Sequence, residues 1–379
     1  MRVVLAPDSF KGSLSATAVC RAMAEGILRA WPAAELLWRP MADGGEGTLE
    51  AIAAAGHVVW RQSCVSGFDG KPVEARWLWR EGIAILETAE VVGLHQVGDL
   101  PLAERSSRGV GELITAALDA GAREIWLGLG GTGCNDGGAG CLAALGLRLL
   151  DAHGQALPAT LAGLAHLARL DWHLLDPRLQ HVRLVLMSDV TSPLCGPQGA
   201  TFVFGPQKGA DAADLATFDA RLAHWAQQVM PHSGAPWHES AGAGAAGGLG
   251  FALLTLGGEY RSGSAAVAAL NGLAEALTGA QWVLTGEGRT DQQTTLGKAP
   301  WRVAELAAEA RVPVTLLSGA VDRQARTVLA QRFAGYFSIC NGPQTLDQAR
   351  SEAAVLVADA AESLTRLFML GGRYHMYLS

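Results

Sequence analysis

Short apolar runs that end at an acidic residue, set among glycines or prolines, recur along this chain. The acids that follow these runs are Asp8, Asp43, Asp136, Asp189 and Glu287. Runs of this length that are rich in branched residues predict strands buried on both faces of a mostly parallel sheet. Ligands of such sheets bind beyond the carboxyl ends of the strands, where carboxylates suit a divalent metal with a phosphorylated ligand, or a general base. The pattern therefore predicts an enzyme.

The periodicity of apolar residues predicts the order of the elements. Apolar residues at four-residue spacing, from Val19 to Trp31, predict a first helix whose N-cap is Ser13 or Ser15. Alternating residues before Glu81-Gly82 and an apolar run after it predict a hairpin with a two-residue turn. The remaining segments are a helix over 109–120, a strand over 124–129, a helical stretch over 157–170, a strand over 281–285, a helix over 300–310, strands over 312–317 and 335–340, and a helix over 346–368.

This order of elements predicts an α/β fold with two domains. Alternation of strand and helix marks both ends of the chain, and the antiparallel strands that follow His57 interrupt it. A chain of 379 residues is long enough for more than one core. We therefore expect one α/β domain made from residues 1–57 and 263–379, with a second, mixed α/β domain inserted over 58–262.

Composition narrows the possible partners. The net charge is −7 without a basic block, so nucleic acid is not an expected partner. The cysteines are scattered and form no Cys-x-x-Cys pair, which favours reduced thiols over disulfides or a zinc site. The first apolar run is too short for a secretory signal, and the uncharged stretch 240–258 is too rich in glycine for a membrane span. We expect a cytoplasmic monomer or homodimer that acts on small molecules.

A glycine loop carries the strongest competing signal. Gly128–Gly133 follows a predicted strand and matches the dinucleotide fingerprint G-x-G-x-x-G, and Asp151 stands about where a ribose-binding acid would. However, Asn135-Asp136 would put a carboxylate at the helix N-terminus, where a pyrophosphate would need to lie. A nicotinamide-dependent hydroxy-acid dehydrogenase is therefore the alternative hypothesis, and a loop for another anion or a metal-bound phosphate is favoured.

Two further loops join predicted strand ends to following elements. Asp43–Thr48 and Thr285–Asp291 could be simple turns held by helix caps and ion pairs. They could equally aim backbone N–H groups at a phosphate, with their acids on a metal. Because an acidic protein repels anions, such a substrate would also need a local cation, and Lys11 and Lys208 are candidates unless they are ordinary surface lysines. Spacing alone leaves both interpretations open.

Taken together, these segments resemble the bacterial glycerate kinase family, in particular its class I, glycerate 2-kinase type. The resemblance runs in order from about residue 1 to residue 370. The segments that carry it are Ala6–Leu14, Met41–Thr48, Ser107–Ile114, Asn135–Gly140, Asp189–Thr191 with Pro193-Leu194, Gly205–Gly209, Gly244–Gly250, and Thr285–Asp291 with Gly297-Lys298. The chain departs from the family pattern at Thr132-Gly133-Cys134, where Ser-Ala-Thr is expected, and at Ser188, where Cys is frequent.

The resemblance implies a Rossmann-like, three-layer domain formed by both chain ends and an enzyme that uses ATP and Mg²⁺. Its reaction would be phosphorylation of D-glycerate, giving 2-phospho-D-glycerate, although the residues do not decide between positions 2 and 3. No Walker sequence is present, because Gly297-Lys298 lacks the upstream glycine and the following Ser or Thr. An ATP site here would therefore use a different phosphate cradle.

Residue roles follow from these motifs. Asp189 is the expected base, with Asp136 as second choice, and Lys11 is expected to neutralise phosphate charge. Glu287 and Asp291, with Asp43 as a further possibility, are the expected magnesium ligands. Arg108 offers a bidentate fork for the glycerate carboxylate, with Lys208 and Arg289 as alternatives. The other expected substrate or nucleotide contacts are Ser9, Asp43, Gly44, Gly45, Asn135, Thr191 and Lys298.

Overall fold

The structure is a computed structural model that describes residues 1–292, 294 and 297–378. Its strands are β1 (Arg2–Leu5), β2 (Glu35–Trp38), β3 (Val59–Ser66), β4 (Pro72–Arg80), β5 (Ile83–Glu87), β6 (Glu124–Gly128), β7 (Arg148–Leu150), β8 (Arg169–Asp171), β9 (Arg183–Met187), β10 (Glu259–Arg261), β11 (Trp282–Thr290), β12 (Val314–Val321) and β13 (Gly335–Ser338). Its α-helices are α1 (Ala16–Ala30), α2 (Thr48–Ala54), α3 (Ala89–Val92), α4 (Arg108–Asp119), α5 (Ala139–Ala144), α6 (Ala200–Phe204), α7 (Leu215–Ser233), α8 (Ala245–Thr255), α9 (Gly263–Leu270), α10 (Leu273–Leu277), α11 (Ala299–Glu309), α12 (Arg326–Arg332), α13 (Leu346–Ser351) and α14 (Ala353–Leu378).

The chain divides into two compact units. The first unit consists of Met1–Asp43, Glu50–His57 and Ser264–Ser379, and the second of Gly44–Leu49 and Val58–Gly263. The expected α/β class is confirmed, with both chain ends in one unit and a mixed α/β unit between them. The short loop Gly44–Leu49 belongs to the second unit, whereas the sequence pattern groups it with the first.

The first unit is built on a five-stranded parallel sheet in the order β13-β12-β11-β1-β2. Counted in chain order within the unit, this is the doubly wound arrangement 2-1-3-4-5. Successive residues of β1 point to opposite faces, so that Val3 packs with α1 and α14 and Val4 packs with α10 and α11. Both faces are covered, which explains why the strands read as continuous apolar runs.

Helix α1 illustrates how local sequence and packing combine. Ser15 is its N-cap and accepts a hydrogen bond from the Ala18 amide, so that of the two predicted caps Ser15 is confirmed. A Cβ on Gly26 would lie 2.0 Å from the carbonyl oxygen of Ala358 in α14. Only glycine therefore permits the close approach of these two helices.

The second unit contains a six-stranded mixed sheet in the order β10-β9-β6-β5-β4-β3 and a small antiparallel pair, β7 and β8. Strands β5, β6, β9 and β10 run parallel, and β3 and β4 run antiparallel to their neighbours. Glu81 and Gly82 link β4 to β5 with φ of 50° and 89°, which is the conformation of a type I′ hairpin. The predicted two-residue hairpin is confirmed.

Three predicted elements differ from the structure. The helix expected over 157–170 is wrong: the segment is irregular apart from a 3₁₀ turn, Gly163–His166, and the start of β8. Leu161, Leu164 and Leu167 are buried in the core of the second unit, so tertiary packing produced their helix-like spacing. The helix expected over 346–368 is two helices, α13 and α14.

The third difference bears on function. The strand expected to stop before Glu287 continues to Thr290, because β11 keeps pairing with β12 as far as Thr290 and Val321. Glu287 therefore lies within a strand rather than in a loop. No helix in the described part of the chain is long and apolar enough to cross a membrane.

Candidate active site

A cavity of about 780 Å³ lies in the first unit at the carboxyl ends of β1, β11 and β12. This is the point where the strand order reverses between β1 and β11, and doubly wound sheets bind ligands there. The cavity collects seven of the expected site residues, namely Ser9, Lys11, Asp43, Glu287, Arg289, Asp291 and Lys298. Residues distant in sequence are thus brought to one place by the sheet.

Asp8 is the carboxylate at the centre of this group. Its backbone amide donates to the Gly286 carbonyl, which fixes the end of β1 beside β11, and its Oδ1 accepts from the Ser9 amide at 2.6 Å. Burial, and next the neighbouring Asp43 carboxylate, raise its pKa to about 7, against the opposing effects of Ser9 and Lys11. Asp8 can therefore change its charge near neutral pH.

Lys11 lies beside Asp43. Its Nζ is 3.5 Å from Asp43 Oδ2, and its side chain is 81% exposed. The Asp43 carboxylate is the main cause of a raised Lys11 pKa, so the ammonium stays charged. An exposed cation next to several carboxylates can accept part of a polyphosphate charge when a ligand displaces water.

Glu287 is held by hydroxyl groups. Its Oε1 accepts from Thr290 Oγ1 at 2.8 Å and from Thr294 Oγ1 at 2.7 Å, and Thr290 also bonds Ser318. Burial raises the Glu287 pKa in spite of these bonds. Both hydroxyls bind Oε1, and the second oxygen, Oε2, accepts no hydrogen bond from a described residue.

Asp291, Lys298 and Arg289, which lies near the end of β11, are more exposed than Glu287. Lys298 Nζ lies 4.0 Å from Asp291 Oδ1, and Arg289, which is 71% exposed, lies 4.0 Å from Asp322. Among the residues described, no group of three or more acids, histidines or cysteines is arranged to hold a metal. Mg²⁺ commonly takes one or two carboxylates and completes its shell with water and phosphate oxygens, so Glu287 and Asp291 fit that kind of site.

In the second unit, Asp136 is completely buried and hydrogen-bonded on both oxygens. Oδ2 accepts from the Ser107 amide at 2.7 Å, the Ser107 hydroxyl at 2.8 Å and the Gly140 amide at 3.1 Å, and Oδ1 accepts from the Gly138 amide at 3.1 Å. Burial raises the Asp136 pKa, while these bonds oppose the shift. The carboxylate joins two loops, which is the geometry of an anchor rather than that of a base.

Lys208 is also buried, with 4% of the residue exposed. Its Nζ donates to the Cys134 carbonyl at 2.8 Å and lies 3.5 Å from Thr132 Oγ1, and burial lowers its pKa to about 8. The neighbouring Asn135 donates to Thr201 Oγ1 at 2.9 Å, while its own Oδ1 has no partner among the described residues. Lys208 thus holds the Thr132-Gly133-Cys134 loop, where the chain departs from the family pattern. It is not an exposed surface lysine.

Arg108 is paired with a neighbouring acid on its own helix. It lies at the start of α4 with its side chain 52% exposed, and its Nε donates to Glu112 Oε1 at 3.0 Å across one helical turn. Within the second unit, its guanidinium is thus engaged in a surface ion pair.

Asp189 is an exposed acid two residues beyond the end of β9. Its Oδ1 accepts from the Gly263 amide at 2.9 Å. The preceding strand, Leu184 to Met187, is fully buried, so the backbone that carries Asp189 is rigidly anchored. Thr191 is exposed nearby in sequence. Asp189 is thus exposed at the end of a buried strand, whereas Asp136 is completely buried.

Comparisons with known proteins agree with this arrangement. The family model described as "Glycerate kinase family" matches residues 3–369. The chain is 40% identical to the glycerate kinase of Bacillus subtilis (strain 168) over 372 residues, which cover 96% of this chain and 97% of that protein. The chain belongs to the glycerate kinase family.

Two further relatives support this assignment. The glycerate 2-kinase of Escherichia coli (strain K12) is 38% identical over 381 residues, which cover 98% of this chain and 99% of that protein. A crystal structure from Salmonella typhimurium LT2, assigned as a glycerate kinase 2, superposes with a TM-score of 0.86 at 38% identity and covers 98% of this chain and 99% of its own. The predicted resemblance, the α/β fold and the prediction of an enzyme of the glycerate kinase family are confirmed.

The glycine loop that suggested a dehydrogenase has a packing role in this glycerate kinase fold. Gly130 donates its amide to the Gly44 carbonyl at 3.0 Å. A Cβ on Gly128 would lie 2.6 Å from the same carbonyl oxygen, and a Cβ on Gly130 would lie 2.4 Å from the Gly45 Cα. The glycines are needed because two loops meet there, and the short helix α5 behind them has Asp136 at its start. The nicotinamide alternative therefore has no support.

Sequence reasoning missed two charged residues. Asp8 ends an apolar run but is not among the site residues that the motifs predict, although its place beside Ser9 and Lys11 is a usable signal. Arg105 is 4% exposed, and its guanidinium donates to the carbonyls of Leu100, Gly133 and Lys208. Nothing in the local sequence distinguishes this arginine from an exposed one.

Proposed function

We propose that this protein transfers the γ-phosphoryl group of ATP to the 2-hydroxyl of D-glycerate, giving ADP and 2-phospho-D-glycerate, with Mg²⁺ as the metal. The observation that carries the proposal is the cavity at the β1–β11 switch point, which combines four carboxylates with an exposed lysine. Phosphoryl transfer depends mainly on positioning and on neutralising charge, and this set of groups serves both. The name of the Escherichia coli relative supports position 2.

The metal would be held by Glu287 and Asp291. Glu287 is fixed through Oε1 by two threonine hydroxyls, so its other oxygen is positioned without strain for a cation. When bound, Mg²⁺ would neutralise charge on the phosphate oxygens. Lys11 and Lys298 would take up the remaining phosphate charge, and Ser9 and Asp43 complete the polar lining.

Asp189 is the proposed base. It would accept the proton of the 2-hydroxyl while the new bond between that oxygen and the γ-phosphorus forms and the bond from this phosphorus to the leaving ADP oxygen breaks. The chain passes between the units four times, and two of these crossings fall beside proposed site residues: Asp43 precedes Gly44, and Gly263, whose amide donates to Asp189, precedes Ser264. Asp136, Asn135 and Lys208 would act by holding the adjoining loops, with Gly44, Gly45 and Thr191 lining the approach.

For the carboxylate of glycerate we propose Arg289. It lines the cavity and is mostly exposed, and its nearest acid, Asp322, is 4.0 Å away. Arg108, which is already paired with Glu112, remains the alternative. We further propose that the enzyme works in the cytoplasm as a monomer or homodimer on these small molecules, without nucleic acid or membrane.

The reaction is tested by incubating the purified protein with D-glycerate, ATP and Mg²⁺ and recording phosphorus NMR spectra. We expect ADP and the phosphorus signal of 2-phosphoglycerate. A 3-phosphoglycerate signal would overturn the position while leaving the kinase, and no ADP release with glycerate would overturn the kinase. A parallel incubation with NAD or NADP in place of ATP should produce no reduced nicotinamide.

A further inference from the structure

The cavity of the first unit is larger than an acceptor of seven non-hydrogen atoms such as glycerate requires. Its volume of about 780 Å³ lies within the range of pockets that hold drug-sized or cofactor-sized ligands. Its four acidic lining residues, Asp8, Asp43, Glu287 and Asp291, lie at or beyond the carboxyl ends of the strands. The remainder of the lining has a different character.

Another part of the cavity lining is formed by the chain from the end of β13 to the start of α14. This segment, residues 339–353, which we call the 339–353 wall, contributes no acid to the cavity lining. Its apolar members include Ile339, Pro343 and Leu346, and Leu346 is 64% exposed although it lines a cavity. An exposed leucine in a concave wall is stabilised when an apolar or aromatic group covers it.

The wall is tied to the loop after β1. Ser13 Oγ donates to the Arg350 carbonyl at 2.7 Å. A Cβ on Gly12 would lie 3.8 Å from the guanidinium carbon of Arg350, which forms no ion pair with an acid among the described residues. A positive charge therefore lies where the apolar wall meets the loop that carries Lys11. This sequence of surfaces, apolar, then cationic, then rich in metal-binding acids, matches a nucleoside followed by its phosphates.

We propose that the 339–353 wall binds the nucleoside of the phosphoryl donor, with Arg350 and Lys11 beside its phosphates. The proposal rests on the proposed ATP-dependent reaction, and it assigns one end of the cavity to the purine and ribose and the other to the metal-bound phosphates. It predicts that the wall recognises adenosine even without phosphates. It also predicts that a bulky side chain introduced into the wall weakens the binding of ATP and not that of glycerate.

The first test fills the wall. Ala349 lines the cavity on α13, whereas Ser351, on the same helix, does not. Ala349→Trp should raise KM for ATP by at least about tenfold and change KM for glycerate by less than about twofold, and Ser351→Trp should change neither. A larger effect on glycerate than on ATP would overturn the proposal, as would normal kinetics in Ala349→Trp.

The second test uses the unaltered protein and needs no acceptor. Cys340 lines the cavity in this wall, and Cys64 is exposed in the second unit and serves as an internal control. Alkylation by iodoacetamide, followed by peptide mass spectrometry, should slow at Cys340 with millimolar adenosine and stay unchanged at Cys64. Magnesium tripolyphosphate should protect Cys340 less than adenosine does.

The two proposals can fail separately. Protection by tripolyphosphate alone, or no protection by adenosine, would overturn the assignment of the wall even if ATP and glycerate react. Protection by adenosine in a protein that does not phosphorylate glycerate would support the nucleoside site and reject the acceptor.

Discussion

The first unit's cavity and the second unit's buried loop cluster both contain acids and lysines, but these charged residues have different surroundings in the two places. In the cavity, Glu287 has one oxygen that accepts no hydrogen bond from a described residue, and Lys11 is mostly exposed. In the cluster around Asp136 and Lys208, backbone amides, carbonyls and hydroxyls occupy the charged groups, and water is excluded. A charged group that faces an accessible cavity can bind a ligand, whereas a buried charge whose hydrogen bonds are satisfied fixes the backbone.

Asp189 gives the strongest test of this comparison, because it is an acid of the second unit that is exposed rather than buried. Asp189→Asn should lower kcat by at least about a hundredfold, since general-base catalysis typically contributes about 10²–10⁴-fold. The melting temperature and ATP binding should change little. Asp214→Asn, at another exposed acid of that unit, is the control and should keep normal kcat. Near-normal kcat in Asp189→Asn would remove the residue from the reaction.

Asp136 should behave in the opposite way. Asp136→Asn places an amide N–H₂ among four N–H and O–H donors, and hydrogen bonds to charged groups contribute about 1.5–3 kcal/mol each. We expect the free energy of unfolding in urea to fall by at least about 2 kcal/mol. Ser107→Ala, which removes only the hydroxyl, should have a smaller effect. A fully stable Asp136→Asn variant that has lost kcat would instead make Asp136 a catalytic residue.

The pH dependence of stability tests the environment of Asp8. Its pKa is raised to about 7 in the folded protein, so between about pH 4 and pH 7 the folded state binds more protons than the unfolded state. Stability from this group is therefore present at low pH and lost as pH rises through 7. Asp8→Asn should remove this loss. Its free energy of unfolding, measured by urea titration, should rise by about 1–2 kcal/mol relative to that of the wild type between pH 4 and pH 8, a figure that includes solvent screening of a half-buried carboxylate. An unchanged difference across this range would contradict the raised pKa.

The magnesium requirement sharpens the interpretation of the cavity. Glu287→Gln should raise the Mg²⁺ concentration for half-maximal rate by about tenfold, because a neutral amide is a weaker ligand than a carboxylate. Asp291→Asn should act in the same direction. Glu309→Gln changes an exposed glutamate of α11 outside the cavity and should leave the requirement unaltered. If both cavity variants keep the wild-type requirement, Glu287 and Asp291 are structural.

Arg108 should give the smallest effect. Its exposed pair with Glu112 is of the kind that contributes about 0.3–0.5 kcal/mol to a helix. Arg108→Ala should therefore change KM for glycerate by less than about twofold, and Arg289→Ala should raise it more. A selective increase in KM for glycerate beyond about fivefold in Arg108→Ala would exchange the roles of these two arginines.

Much of the fold can be predicted from local sequence. The continuous apolar runs of β1 and β9 predict buried strands because both faces of each strand are covered. Glu81-Gly82 predicts its hairpin because these two residues separate an alternating run from an apolar run and include a glycine, which readily adopts positive φ. The stretch 157–170 misled the prediction, since apolar spacing alone does not distinguish a helix from an irregular segment that packs its leucines on a core. The length of this stretch and the turns that flank it do not distinguish a helix from an irregular segment either.

The sequence by itself determined that acids end the buried strands, that glycine loops follow them and that the chain resembles one kinase family, because these are properties of residue order. Only the tertiary structure decided which of those acids remain accessible. Ser107 is 29 residues from the Asp136 carboxylate that it binds, and Gly263 is 74 residues from Asp189. Whether a charge is buried and satisfied or left open depends on partners at such separations, and no local pattern records them.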